Sequence, residues 1–317
     1  MSLFRKNIKV LCLGDCMLDH WAFGLVNRIS PEAPVPVFRE KSQLYMLGGA
    51  ANVAANLISL GAESVELIGL RGPDDDGELL KGLLNDGEIV DRCVISPTRK
   101  TTRKLRFVAR QQQLLRVDQE SPGVLTEAEE EQMLQRVEDY MINDGIVVVS
   151  DYAKGVVTRD VCFNTSTRAR RNNNFVIVDP KVEFSKYANA NLLTPNRKEL
   201  TVACSEGFSN PKALIEMLGL DAVIVKANAD GLYLHEKSNF NPKHFPSITS
   251  EVTNVCGAGD VVVAALALSI GSGKSLSDAT KIAVVAGSLA VLKGMTSVVF
   301  QNELEEALEH QRFKPVG

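Results

Sequence analysis

Five short apolar runs rich in β-branched residues punctuate the chain, at positions 8–13, 65–70, 146–149, 175–178 and 222–226. Runs of this length without polar alternation predict strands buried on both faces. Helix-period segments lie between several of them. Residues 50–60 end at Gly61, a helix stop, and 126–142 open with Thr126 three positions ahead of Glu129, the spacing of a capping box. Strands alternating with helices predict an α/β fold: a mostly parallel central sheet flanked by helices on both faces.

Two stretches break the alternation. Segments 21–47 and 91–118 are strand-prone but too polar, too broken or too proline-marked for a buried parallel sheet; Pro31, Pro34 and Pro36 cluster in the first. Edge strands tolerate proline and two-faced polarity. The segments, taken as approximately 19–47 and 91–118, are expected to form a small β-sheet lid inserted in one domain spanning 1–317, able to exclude water from a site. No repeat of solenoid period and no proline/glycine-rich linker argues for further division.

Composition narrows the function class. With 45% hydrophobic and 23% charged residues the chain has material for a sizeable core. A net charge of −4 supplies no global basic field, so a small-molecule site is expected rather than nucleic-acid binding. The cysteines, Cys12, Cys16, Cys93, Cys162, Cys204 and Cys256, show no CxxC pairing and read as reduced thiols of a cytoplasmic protein. His20, His235, His244 and His310 show no metal-ligand spacing. No secretory leader and no membrane span are expected: the most apolar late run, 261–270, is about half a bilayer-spanning helix.

The chemistry concentrates at Cys256-Gly257-Ala258-Gly259-Asp260, just ahead of an apolar helical run. Glycines at a helix start let backbone N–H groups approach an anion, and the helix dipole adds positive potential there. Asp260 falls in the first turn, placed to take a proton from an acceptor hydroxyl while the N–H groups hold a phosphoryl group in transfer. A plain helix cap would produce the same four residues.

From about Gly14 to Leu308 the sequence resembles the ribokinase-like, pfkB-type carbohydrate kinases, with 257–260 as their signature loop. The resemblance assigns the general base to Asp260 and the anion hole to Gly257, Ala258 and Gly259. Gly14-Asp15 and Gly48-Gly49-Ala50-Ala51-Asn52 match the segments that hold the sugar, through Asp15, Asp19, Gly48, Gly49 and Asn52. Asn196 and Glu199, in Thr194-Pro195-Asn196-Arg197-Lys198-Glu199, match the Asn-x-x-Glu motif beside the nucleotide phosphates; a helix cap at Asn196 with Glu199 as its capping-box partner is the plainer alternative, and the two are compatible. The resemblance extends the ATP side to Arg197, Lys198, Lys226, Asp230 and Gly231. It places Mg²⁺ near Glu199 through water.

One branch is matched in more detail. Asp15 to Asp19, the proline-rich 27–37 and Ser150-Asp151-Tyr152-Ala153-Lys154-Gly155 are similar to the D-glycero-β-D-manno-heptose 7-phosphate kinases. Arg103, Lys104, Arg106, Arg110 and Arg116 around Gln111-Gln112-Gln113 follow the same manner. Alternation puts Lys104 and Arg106 on one strand face, where they or Lys154 would hold the substrate's distal phosphate; a solvated basic edge strand is the plainer alternative. Gln112, Arg116 and Asp151 complete the expected sugar side.

The implied reaction is phosphoryl transfer from ATP to the anomeric hydroxyl, giving the 1,7-bisphosphate of a lipopolysaccharide precursor. A homodimer through the lid edge is expected, and a separate enzyme for the nucleotidyl transfer that bifunctional relatives perform. Other sugar or sugar-phosphate acceptors, or a sugar-phosphate-binding protein without turnover, are the alternatives.

Some positions depart from the family. Asn254 and Cys256 stand where Asp and Thr are usual, which puts a monovalent-cation site in question. Val284 replaces an asparagine on the nucleotide side, and Gly294-Met295-Thr296 breaks the usual glycine pattern. Gly271-Ser272-Gly273-Lys274-Ser275 resembles the end of a P-loop, but a helix precedes it and Leu268 stands where a glycine is needed, so it reads as a helix stop followed by a cap at Ser275.

Overall fold

The structure is a computed structural model and describes residues 3–121, 123–248, 256–293, 295–296 and 298–312. Strand β1 (Lys9–Gly14) leads into the hairpin β2 (Cys16–Ile29) and β3 (Pro36–Gly49), then helix α1 (Ala50–Ser59) and β4 (Ser64–Ile68). β5 (Leu70–Arg71), α2 (Asp75–Asp86), β6 (Val90–Asp91) and β7 (Val94–Ile95) connect to a second hairpin, β8 (Arg103–Ala109) and β9 (Gln112–Gln119). Alternation follows through α3 (Glu127–Asp139), β10 (Ile146–Ser150), α4 (Arg159–Arg171), β11 (Phe175–Asp179), β12 (Leu192–Leu193), α5 (Arg197–Ser205), α6 (Pro211–Leu218) and β13 (Ala222–Lys226). The chain closes with β14 (Leu232–Glu236), β15 (Asn239–Phe245), α7 (Ala258–Gly271), α8 (Leu276–Lys293) and α9 (Gln301–Arg312).

The main sheet has the order β15-β14-β13-β12-β11-β10-β1-β4-β6. It is parallel from β13 to β6, with β14 and β15 added antiparallel. All five predicted strands are present to within a residue or two. Their unbroken apolarity follows from having a core on each face. Val10, Cys12, Ile146 and Val148 pack with α1, α7 and α8, whereas Leu11, Leu13, Val147 and Val149 pack with α3, α4 and α6.

The lid is a sheet of order β3-β2-β8-β9. It begins at Cys16, ahead of residue 19, because β2 continues the chain directly beyond the Gly14–Asp15 bend. Its second segment is shorter than expected: Val90–Asp91 pairs with β4 at the edge of the main sheet, and Val94–Ile95 pairs with β5. Only from Arg103 does the chain join the lid. Pro31 and Pro34 lie in the β2–β3 connection and Pro36 opens β3, where no interior ladder bond is lost.

Thr126 and Glu129 form the expected capping box at α3, which ends at Asp139 rather than 142. The Gly-Ser-Gly-Lys-Ser stretch is a connection between helices: α7 stops at Gly271, and the Ser275 hydroxyl accepts from the Asp278 N–H. Among the described residues no helix is long and apolar enough to cross a membrane.

Candidate active site

From β1 the sheet grows in opposite directions, to β4 on one side and β10 on the other. Connections that diverge in this way leave a crevice beyond the carboxyl ends of the strands. A cavity of about 740 Å³ opens there. Residues following β10, β11 and β13, the start of α7 and the inner side of the lid all contribute to its lining.

Asp260 sits at the base of this cavity, 2% exposed, in the first turn of α7. Its Oδ1 accepts from the Tyr152 hydroxyl at 2.5 Å and its Oδ2 from the Asn52 amide at 2.6 Å. Burial pushes its pKa up to about 7, against the lowering effect of those two hydrogen bonds; Asp179 nearby raises it further and Lys226 lowers it. Gly257 caps the helix in the left-handed region, φ 76°, without a side-chain cap. A Cβ there would stand 2.9 Å from the Asn52 amide nitrogen, so glycine serves both the backbone angle and the crowding. The first-turn N–H groups lack intrahelical acceptors and adjoin the cavity.

Lys226, at the end of β13, forms an ion pair with Asp179 at the end of β11. Its ammonium lies 3.4 Å from where a Cβ on Gly259 would be. Burial opposes its charge, but Asp179 and Glu199 outweigh that and raise its pKa. A fixed cation therefore stands beside the helix N-terminus, the arrangement that stabilises a phosphoryl group in transfer. Asn196 and Glu199 form a full capping box on α5, and Glu199 also lines the cavity, where its Oε1 meets Lys181 at 2.9 Å. The capping box is thus formed, and both residues also line the cavity.

The lid contributes Asp19, Lys104 and Arg106. Arg106 meets Asp19 at 2.6 Å, stacks over Trp21 with 4.7 Å to the ring centroid, and is buried; Lys104 meets Asp118 at 3.2 Å. Lys104 and Arg106 share one strand face, as alternation requires.

Several expected residues stand back from the cavity lining. Asp15 turns its carboxylate to the backbone N–H groups of Tyr152, Lys154 and Val156, so it pins the loop after β10. Asn52 reaches Asp260 from behind, and Gly48 packs under Asp19. Gly49 and Asp151 line the cavity, but the Asp151 carboxylate is tied to Lys186 at 2.6 Å and to the Tyr187 hydroxyl at 2.7 Å. Lys154 pairs with Glu120, Arg116 pairs with Asp118 on an exposed strand, and Gln112 is exposed where β9 leaves the lid hairpin turn. Arg197, Lys198 and Gly231 line the cavity, whereas Asp230 holds Arg197 at its rim.

The chain matches the pfkB family carbohydrate kinase model over residues 7–302. It belongs to that family and is a sugar kinase. It is 40% identical over 315 residues to the bifunctional protein HldE of Paramagnetospirillum magneticum, covering 96% of this chain and 64% of that one. Identity to the HldE of Caulobacter vibrioides is 41% over 318 residues, with the same coverage. The chain thus spans 64% of the length of these curated relatives. Phosphofructokinase-2 from Escherichia coli in complex with potassium superposes with a TM-score of 0.79 at 23% identity, covering 97% of this chain and 100% of that one. Ribokinase from Thermotoga maritima gives 0.73 at 22%, covering 96% and 99%. These two likenesses establish the ribokinase-like fold.

The residues present fit a nucleotide. Leu232, Val262, Val284 and Val291 give part of the cavity an apolar wall, with Ser247 and Ser288 beside it, while Lys226 and the α7 N-terminus offer the positive potential that suits a phosphate. Val284, the departure from the family asparagine, belongs to that wall. For Mg²⁺ the residue present is Glu199, whose oxygens each accept one hydrogen bond, from Asn196 N–H and from Lys181, and each keep a second lone pair that suits a metal-bound water. Cys256 and Thr296 line the cavity; Asn254 and Gly294 lie outside the described residues.

Tyr152, Asp179 and Lys181 are site residues that the sequence reading did not assign. The first two follow or end predicted parallel strands, and that position was their signal. Lys181 stands just past β11 in the same way, but its partner Glu199, 18 positions away, could not be read from the chain.

Proposed function

We propose that this kinase transfers the γ-phosphoryl group of ATP to the anomeric hydroxyl of D-glycero-β-D-manno-heptose 7-phosphate, giving the 1,7-bisphosphate. The observation that carries this reading is a cavity with two anion-directed ends. One is the α7 N-terminus with Lys226 and the base Asp260; the other is the lid pair Lys104 and Arg106. A phosphorylated sugar presents its hydroxyl to the first and its phosphate to the second. Asp19 and Asp118 hold the lid cations in the meantime, and the substrate phosphate takes over those contacts.

The motif matches at 15–19, 27–37 and 150–155 support heptose 7-phosphate over other sugar phosphates, and the HldE relatives support the same choice. Asp260 takes the proton of the acceptor hydroxyl, Lys226 and the first-turn N–H groups hold the moving phosphoryl, and Glu199 orients Mg²⁺ through water. Bound Mg²⁺ supplies charge neutralisation at the phosphates. The product would enter lipopolysaccharide precursor synthesis in the cytoplasm. Exposed Leu114, Leu115 and Val117 on the edge strand β9 support pairing of two lids in a homodimer. Phosphorus NMR of the product tests the reaction: the reading predicts a new resonance coupled to the anomeric proton, and phosphorylation at any other carbon contradicts it.

A further inference from the structure

The two oxygens of Asp260 are held in different ways. Oδ2 accepts from Asn52, which stands behind the cavity wall and is itself oriented by a directed relay. The Val299 N–H donates to Asn56 Oδ1 at 3.1 Å, and Asn56 Nδ2 donates to Asn52 Oδ1 at 3.2 Å. That leaves Asn52 Nδ2 for the base. Oδ1 accepts from Tyr152, which lines the cavity. Oδ1 is therefore the oxygen an acceptor hydroxyl meets, and a carboxylate oxygen offers a second lone pair beside the one Tyr152 uses.

Tyr152 is fixed from behind. Its N–H donates to Asp15 Oδ2 at 2.8 Å, the N–H groups of Lys154 and Val156 share that carboxylate, and Ala153 N–H donates to Asp151. Asp15 is in turn held to β10 through its N–H and the Ser150 carbonyl. Burial, then the neighbouring Asp260 carboxylate, keep the phenol far on its neutral side, so Tyr152 donates and is not the base.

We propose that Tyr152 is a positioning residue for phosphoryl transfer: its hydroxyl, held by the Asp15-anchored loop, aims the free lone pair of Asp260 Oδ1 at the acceptor hydroxyl and favours the carboxylate form. In the step it serves, the acceptor O–H proton passes to Oδ1 as the acceptor oxygen bonds to the γ-phosphorus. The bond from phosphorus to the β,γ-bridging oxygen breaks, and its electron pair leaves with ADP. The inference rests on the kinase reading but not on the identity of the acceptor. Besides Tyr152 and Asn52, the groups facing Asp260 are Asp179 on β11, Lys226 on β13 and Cys12 on β1; Asp19 on β2 acts on Tyr152. Tyr152→Phe leaves all of them in place.

The test compares wild type with Tyr152→Phe in ligand-free protein carrying carbon-13 at Asp Cγ, the Asp260 resonance being assigned by its loss in Asp260→Asn. The expected result is a rise of about one pH unit in the Asp260 titration, since a hydrogen bond favouring the ionised form is lost. The acid limb of kcat/KM, read with a phosphorylated acceptor that wild type turns over, should move up by the same amount, with activity recovering at high pH. A side chain that merely packs would lower the rate equally at every pH. An unmoved carboxyl titration, or a pH-independent rate loss, overturns the proposal. The titration needs no acceptor, so failure of the heptose reading appears separately, as wild type inactive on that sugar.

Discussion

Asn52 donates to Asp260 across 208 residues of sequence, at 2.6 Å, joining the first helix after the lid hairpin to the helix that carries the proposed base. The contact depends on Asn56, whose amide fixes which end of Asn52 faces the carboxylate. Replacing Asn56 by Leu leaves the Val299 N–H and the Asn52 carbonyl oxygen buried without that partner. Stability is expected to fall by about 1–3 kcal/mol, read from urea unfolding, with a parallel loss of kcat.

Asp260 costs stability where it is ionised. Its pKa rises from 3.8 to about 7 on folding, so its favourable contribution is complete below pH 3.8 and is lost as pH rises through 7. Asp260→Asn should therefore stabilise the protein at pH 8 by up to about 4 kcal/mol, an order-of-magnitude figure, and have little effect near pH 3. Thermal or urea unfolding across that window checks the sign; a variant less stable than wild type at pH 8 contradicts it.

The same variant should lose turnover by roughly 10²–10⁴-fold while retaining sugar-phosphate binding by calorimetry, because the base acts on the chemical step. Turnover comparable to wild type would remove Asp260 from that role.

Lys226→Met removes the cation beside Gly259. Its expected signature is a fall in kcat of about 10²-fold, larger than any rise in KM for ATP, since the ammonium meets charge that develops in transfer. An effect confined to KM would make Lys226 a nucleotide-binding residue only.

Much of this architecture was legible in the chain. The apolar runs marked the central strands because each is buried on both faces, and Gly257 to Asp260 marked the start of α7 because the helix after it is apolar. The lid's exact strands were harder to read. Val90–Asp91 and Val94–Ile95 are two residues each, too short for any periodicity, and pair outside the lid. Side-chain direction was hidden too: Asp15 looks like a sugar ligand in sequence, yet three backbone N–H groups from 137 to 141 positions away claim its carboxylate.

Lys104→Ala tests the distal-phosphate contact. It should raise KM for a phosphorylated sugar more than for the dephosphorylated analogue, a difference a charge-assisted hydrogen bond sets at about tenfold. Equal effects on both would remove Lys104 from that contact.

The central claim is tested most directly by coupled ADP release with ATP, Mg²⁺ and D-glycero-β-D-manno-heptose 7-phosphate, beside fructose 6-phosphate, ribose and no sugar. Turnover with the heptose phosphate well above every control is the predicted result. Faster turnover with either other sugar, or none with heptose phosphate, contradicts the assignment of the acceptor.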